Sequence, residues 1–191
     1  MRAWGIVAST CAAVLVSGCS AGGQEGNSPF ASPSSTSEIR KPRLTDLSAR
    51  PDVIFDPCMD IPDDALRAAG LEPSTRSFED VSSSDRTFLI CAYRPGPRGM
   101  YVNIGSSNST YDEYVAKESE SELHEYDIDG RRAVTKHVGS RGGNCILTVE
   151  TSYGTLGVTR DLFDSELPRE QSCDGIDDMA RIFLSHLPEG A

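Results

Sequence analysis

Four cysteines, Cys58, Cys91, Cys145 and Cys173, constrain the fold of this chain more than any other feature of it. They matter because of where the chain is sent. Arg2 precedes an uncharged, largely apolar run, Trp4–Val16, broken only by small polar residues at Ser9 and Thr10. A membrane-spanning helix needs about 20 apolar residues, so this shorter run reads as the core of an export signal. In an oxidising compartment an even number of cysteines reads as disulfides, and four cysteines allow three connectivities. The sequence has no C-x-x-C pair and no histidine at ligand spacing, which argues against zinc and against dithiol redox chemistry. Pairing Cys58 with Cys91 and Cys145 with Cys173 is preferred. Each bridge would staple the approach to a helix onto a strand, closing a loop worth on the order of 3–4 kcal/mol.

The remaining two cysteines, Cys11 and Cys19, belong to the signal region. The apolar run ends in Leu15-Val16-Ser17-Gly18-Cys19-Ser20, with small residues just before a cysteine. Val16-Ser17-Gly18-Cys19 resembles the lipobox of bacterial lipoproteins. The resemblance implies that Cys19 receives a diacylglyceryl group, that residues 1–18 are removed before it, and that its new amine is acylated. Stable anchoring takes two or more acyl chains, and this arrangement meets that condition. The implied location is the extracytoplasmic face of the cell membrane, with Cys19 as the anchor.

Residues 19–50 read as a lipidated cysteine followed by a flexible tether, rich in Ser, Gly and Pro and poor in apolar side chains. Residues 51–191 form the expected domain. Counting glycine and setting tyrosine aside, roughly 44 % of the chain is apolar, near the usual ~45–50 %, so a packed core is expected. The whole chain carries a formal charge of −11. Beyond residue 50 there are 26 acidic against 13 basic residues. Nucleic acid is therefore not an expected partner, because phosphate binding needs a basic footprint. Anionic head groups should repel such a domain and keep it clear of the membrane.

Local patterns give the elements. Ile61–Gly70 reads as a short helix, with Pro62 in its first turn, Asp63 and Asp64 near its positive end, and Gly70 as a left-handed stop. Thr87–Tyr93 reads as a buried strand and Tyr101–Gly105 as an alternating one, joined through Pro95-Gly96-Pro97. Thr110-Tyr-Asp-Glu113 is a capping box opening a helix. Asp129-Gly130 is a hairpin turn between strands at 122–128 and 131–138. Strands follow at 145–151 and 155–160, and a helix over about 174–187 carries an apolar stripe. The expected fold is α+β: one twisted, mostly antiparallel sheet with about three helices packed on one face, held by two disulfides.

Asp56-Pro57-Cys58 leading into Ile61–Leu71, then Cys91-Ala-Tyr-Arg94, Cys145 and Cys173, together resemble the DPC-motif lipoproteins of actinobacteria. That family is classed as a domain of unknown function. The resemblance covers about residues 51–190. It supports two disulfides and implies no activity.

The chain carries no G-x-S-x-G elbow and no catalytic-cysteine signature, and no catalytic residue or cofactor is expected. His124, His137 and His186 are far apart in sequence and read as surface or sheet residues. Glu125-x-Asp127-x-Asp129-Gly130 imitates the front of a calcium loop, but Lys136 stands where a bidentate carboxylate is required. Gly139–Gly143 has backbone donors and an arginine but no phosphate-loop ending, and reads as an inter-strand loop. The expected function is a monomeric, membrane-anchored envelope module. It would bind a small apolar ligand or an envelope protein on a concave sheet face lined by Tyr93, Tyr101 and Tyr153. Two alternatives stand beside it. One is an envelope hydrolase using carboxylates. The other is an acidic interaction protein whose eight carboxylates within Asp112–Asp129 dock a basic partner.

Overall fold

A computed structural model describes residues 44–94, 100–118, 122–138, 143–162 and 169–191. The expected signal, Cys19, most of the tether, and the loops expected around Pro95–Pro97 and Gly139–Gly142 lie outside these residues. The chain enters its first turn, α1 (Pro57–Asp60), through Asp56, whose carboxylate accepts from the Cys58 N–H at 3.0 Å. Pro62 then opens α2 (Asp63–Ala68), and Gly70, at φ +78°, ends it as the left-handed stop expected of it. A 3₁₀ turn at Pro73–Thr75 leads to two very short strands, β1 (Ser77–Phe78) and β2 (Val81–Ser82), followed by β3 (Thr87–Tyr93) and β4 (Met100–Ser107). Helix α3 (Tyr111–Lys117) comes next, and then β5 (Leu123–Ile128), β6 (Arg131–Val138), β7 (Asn144–Thr151) and β8 (Gly154–Leu162). A 3₁₀ segment, Arg169–Cys173, precedes the last helix, α4 (Ile176–Leu184).

All described strand pairs are antiparallel and join one eight-stranded sheet ordered β1-β3-β4-β8-β7-β6-β5, with β2 also paired to β3. The α+β reading holds. Two halves of the chain meet along the β4–β8 ladder, which runs from Met100 opposite Leu162 to Ser107 opposite Thr155.

Strand alternation divides the side chains between two faces. On the first face, Cys91, Tyr93, Val102, Ile104, Val158, Leu147 and Val149 pack under α1, α2 and α4. Helix α4 presents Ile176, Met179, Ala180 and Phe183, all buried, from one stripe. Burying each of the larger apolar side chains contributes about 1.5–3 kcal/mol, so this layer is the main source of stability. Both disulfides lie on this face. Cys58–Cys91 fastens α1 to β3, and Cys145–Cys173 fastens the approach to α4 onto β7. The sheet thus carries three helices on its core face.

Helix α3 lies across the second face instead. Its capping box forms as expected: Thr110 Oγ1 accepts from the Glu113 N–H, and Glu113 accepts from the Thr110 N–H. Behind it the Tyr111 hydroxyl donates toward Glu125 Oε2 (3.0 Å) and the Ala133 carbonyl (3.2 Å). The Arg132 guanidinium sits 4.5 Å above the Tyr111 ring and pairs with Asp112 and Glu150. Burial, and then the nearby Glu125 carboxylate, push the Tyr111 hydroxyl well above its ordinary pKa.

Candidate functional site

Helix α3 covers the second face over β6 and β7 and stops short of β3, β4 and β8. What remains is an open groove of about 260 Å³. Phe88 and Ile90 of β3 form one wall, and Tyr114 of α3 with Thr148 of β7 forms the other. The floor is unusual. Gly105 of β4 and Gly157 of β8 stand directly opposite each other in the ladder. Neither has a positive φ, so neither position needs glycine for its backbone conformation. A Cβ at Gly105 would find only Ile90 Cγ1, at 3.8 Å, and one at Gly157 only two carbonyl oxygens, also at 3.8 Å. Glycine inside a strand costs about 0.5–1 kcal/mol relative to alanine. Such a glycine commonly marks a place where a ligand or another backbone comes close. The groove is the space that two omitted side chains leave.

Its polar groups are the hydroxyls of Ser107, Thr148, Thr155, Thr159 and Tyr114, together with Asn103 and Glu79. Asn103 Oδ1, on the groove side of β4, is buried without a hydrogen-bond partner. The Tyr114 hydroxyl is buried without a partner of good geometry. Burial raises the Tyr114 pKa, and nearby Thr148 moderates that rise. Among the described residues, Glu79 is the single charged side chain lining the groove.

A family model described as "Protein of unknown function (DUF3558)" matches residues 14–186. The chain belongs to the DUF3558 family. No curated protein and no solved structure matches it.

The DUF3558 chain does not gather its three sequence-selected tyrosines at this site. Tyr93 and Tyr153 are 1 % and 5 % exposed, both in the core layer beneath the helices. Tyr93 lies two residues from Cys91 and so shares its face, which the bridge to Cys58 draws under α1. Its hydroxyl is 3.2 Å from the Cys91 sulfur. Tyr153 sits in the β7–β8 turn, where its hydroxyl meets Ser106 Oγ at 3.2 Å. Tyr101 is on the groove face but opposite Asp161, beyond Asn103 and outside the lining. The expectation of a concave face lined by all three is therefore corrected. Two of them are core residues, and the groove uses Tyr114 instead. Cys91 and Tyr93 are two residues apart on one strand, so a bridged Cys91 marks Tyr93 as a core residue. Nothing local marks Tyr114, which lies one residue beyond the capping box of α3.

The other sequence-selected features sit as follows. The residues that imitate a calcium loop form a hairpin turn, with Asp127 Oδ1 accepting from the Gly130 N–H at 2.7 Å. His137 faces the core side, with Nδ1 3.2 Å from Ser172 Oγ, while His124 stacks on Tyr126. A wider surface cleft at the start of α4 is lined by Asp174, Asp177 and Asp178. Two of these carboxylates are engaged, Asp177 by the Tyr126 hydroxyl and Asp178 by Arg181. Among the described residues no three His, Cys, Asp or Glu side chains are grouped to hold a metal ion.

The last residues of the expected tether are tied to the sheet. Asp46 accepts from Thr87 Oγ1 (2.7 Å) and Asn108 Nδ2 (3.0 Å). Arg50 forms a two-point contact with Glu113, at 2.6 and 2.8 Å, beside the residue that walls the groove. The Arg50 guanidinium, followed by the Thr110 N–H, lowers the Glu113 pKa to about 2 from an ordinary value near 4.5. A depressed carboxyl stabilises the fold fully above its unfolded pKa, and that stabilisation is lost as pH falls through the folded value. Glu113→Gln is therefore expected to cost about 1 kcal/mol at pH 7, the scale of a helix cap on a partly exposed side chain. Urea titrations of both proteins should show this deficit shrinking as pH falls from about 4.5 toward 2. A deficit constant across that window would mean that the Arg50–Glu113 contact contributes nothing.

Proposed function

We propose that this protein is a lipid-anchored cell-envelope module of the DPC-motif actinobacterial type, and that its domain binds a small apolar ligand in the α3 groove. Cys19 would hold it to the outer face of the cytoplasmic membrane. The excess of acidic residues beyond residue 50 supports a domain that stands off anionic head groups. The observation that carries the binding reading is the Gly105–Gly157 pair. It keeps a floor open between the apolar wall of Phe88 and Ile90 and the ring of Tyr114, although a Cβ would fit at either position.

The test is to fill the floor. Gly157→Val places a β-branched residue in a central strand at a position where an added Cβ meets nothing closer than 3.8 Å, so the fold should be retained. The same change should weaken binding of N-phenyl-1-naphthylamine, a neutral apolar fluorescent probe, by tenfold or more. Native mass spectrometry of the gently purified full chain should show a small apolar adduct that Gly157→Val lacks. If the probe bound the filled variant as tightly as the parent, or bound neither protein, the reading would fail.

A further inference from the structure

Resting on that reading of the groove, we infer that its ligand is a neutral aliphatic molecule that presents a hydroxyl group to Asn103 and Tyr114. A buried polar atom without a partner costs about 1–3 kcal/mol, so such an atom in a native groove calls for an explanation. Two of them line this groove. Asn103 Oδ1 can only accept, and it has no donor. The Tyr114 hydroxyl on the opposite wall can donate; Thr148 lies beside its oxygen, but no hydrogen bond of good geometry engages the hydroxyl. A ligand hydroxyl is both donor and acceptor. It can give its proton to Asn103 Oδ1 and accept the tyrosine proton on its oxygen.

Other head groups match less well. A carboxylate or phosphate is acceptor-only when ionised, so it would leave Asn103 Oδ1 unpaired. It would also stand near Glu79, with no cationic side chain among the described residues lining the groove to offset the charge. An ammonium group is donor-only and would leave the Tyr114 proton unused. The body of the ligand is set by the apolar wall of Phe88 and Ile90 and by the glycine floor, with Thr148, Thr155 and Thr159 also lining the groove. At about 30 Å³ for each water-sized group, a groove of 260 Å³ seats on the order of nine heavy atoms.

The experiment compares three ligands of nine heavy atoms: 1-octanol, 1-methoxyheptane and heptanoate. Each is titrated at pH 7 into the full chain carrying Cys19→Ala, which dispenses with detergent. Octanol is expected to bind about tenfold more tightly than the ether, which keeps the oxygen but has no proton to give. Heptanoate is expected to bind more weakly than octanol. Octanol, and not the ether, should shift the side-chain amide resonances of Asn103. Asn103→Leu should bring octanol down to the ether without weakening the ether. Tyr114→Phe, which keeps the ring, should weaken octanol and the ether by a similar factor, because either oxygen accepts the tyrosine proton, and it guards against a folding defect in the first variant.

Equal binding of octanol and ether would overturn the hydroxyl assignment while leaving the apolar groove intact. Tightest binding of heptanoate would overturn it too, by showing that Asn103 turns its amide nitrogen to the ligand. Binding of the naphthylamine probe without octanol would likewise remove the hydroxyl assignment alone. If neither the probe nor any of the three ligands bound, the groove reading itself would fall, and this inference with it.

Discussion

Replacing Cys58 and Cys91 together by alanine is expected to lower stability by about 3.7 kcal/mol, the chain-entropy value for a loop of this size. The bridge spans 33 residues and joins two positions that are both fully buried. Its local effect is as important as its entropy. α1 is a single turn of four residues, far too short to persist by its own hydrogen bonds. Its position over β3 rests on the bridge and on the packing of Phe55, Ile61 and Leu66 around it. The Cys145–Cys173 bridge spans 28 residues and closes a loop of similar worth, about 3.6 kcal/mol. Removing both takes away about 7 kcal/mol, a large part of the 5–15 kcal/mol that typical domains possess. Urea unfolding with and without reductant measures this. The single-bridge variant should show a lower midpoint and a somewhat larger slope, because its denatured chain is more expanded. The fully reduced protein should be unfolded at 37 °C. A reduced protein with an unchanged midpoint would show that core packing alone holds the fold.

Gly154→Ala should cost on the order of 2–5 kcal/mol, combining a backbone conformation reserved for glycine with steric overlap. The β7–β8 hairpin turns through only two residues, Ser152 and Tyr153, with Thr151 paired to Gly154. Tight hairpins usually place positive φ within the turn itself. Here both turn residues lack it, and Gly154 carries φ +145° instead. A Cβ at Gly154 would lie 2.2 Å from the Ser107 carbonyl oxygen and 2.8 Å from Asn108 Cα. Both are backbone atoms in the segment where Asn108 binds Asp46, so they have little freedom to yield. Thermal unfolding of Gly154→Ala beside Gly130→Ala separates the two contributions. Gly130, at φ +82°, meets nothing within 4 Å, so its variant reports backbone strain alone. Equal losses in the two would mean that the overlap at Gly154 is relieved without cost.

Much of the fold was legible because its causes are local. The Thr110–Glu113 capping box forms as its residue types dictate, since both hydrogen bonds close within one turn. Asp129-Gly130 makes the hairpin expected of it, with φ +53° and +82° at the two central positions, values that asparagine, aspartate and glycine tolerate. The Thr87–Tyr93 strand has the bounds its apolar run suggested. α1, β1 and β2 were not legible. They are two to four residues long and exist only because a bridge or a neighbouring strand holds them. The anchoring of the last tether residues was not legible for a similar reason. Asp46 and Arg50 look like solvated polar residues until Thr87, Asn108 and Glu113 are brought beside them.

By itself, the sequence determined what depends on neighbours within a few residues: the helix starts, the hairpin turns, and the alternation that gives each strand two faces. It also favoured the bridges Cys58–Cys91 and Cys145–Cys173, because only that pairing closes two short loops, each between a helix start and a strand. Alternation says which residues share a face and leaves open which face is covered. Only the tertiary structure decided that α1, α2 and α4 take one face, burying Tyr93 and Tyr153, while α3 takes part of the other. Pairing β4 with β8 set Gly105 against Gly157 across more than fifty residues of chain, a contact no local pattern specifies. That pairing, with Tyr114 placed above it, makes the groove.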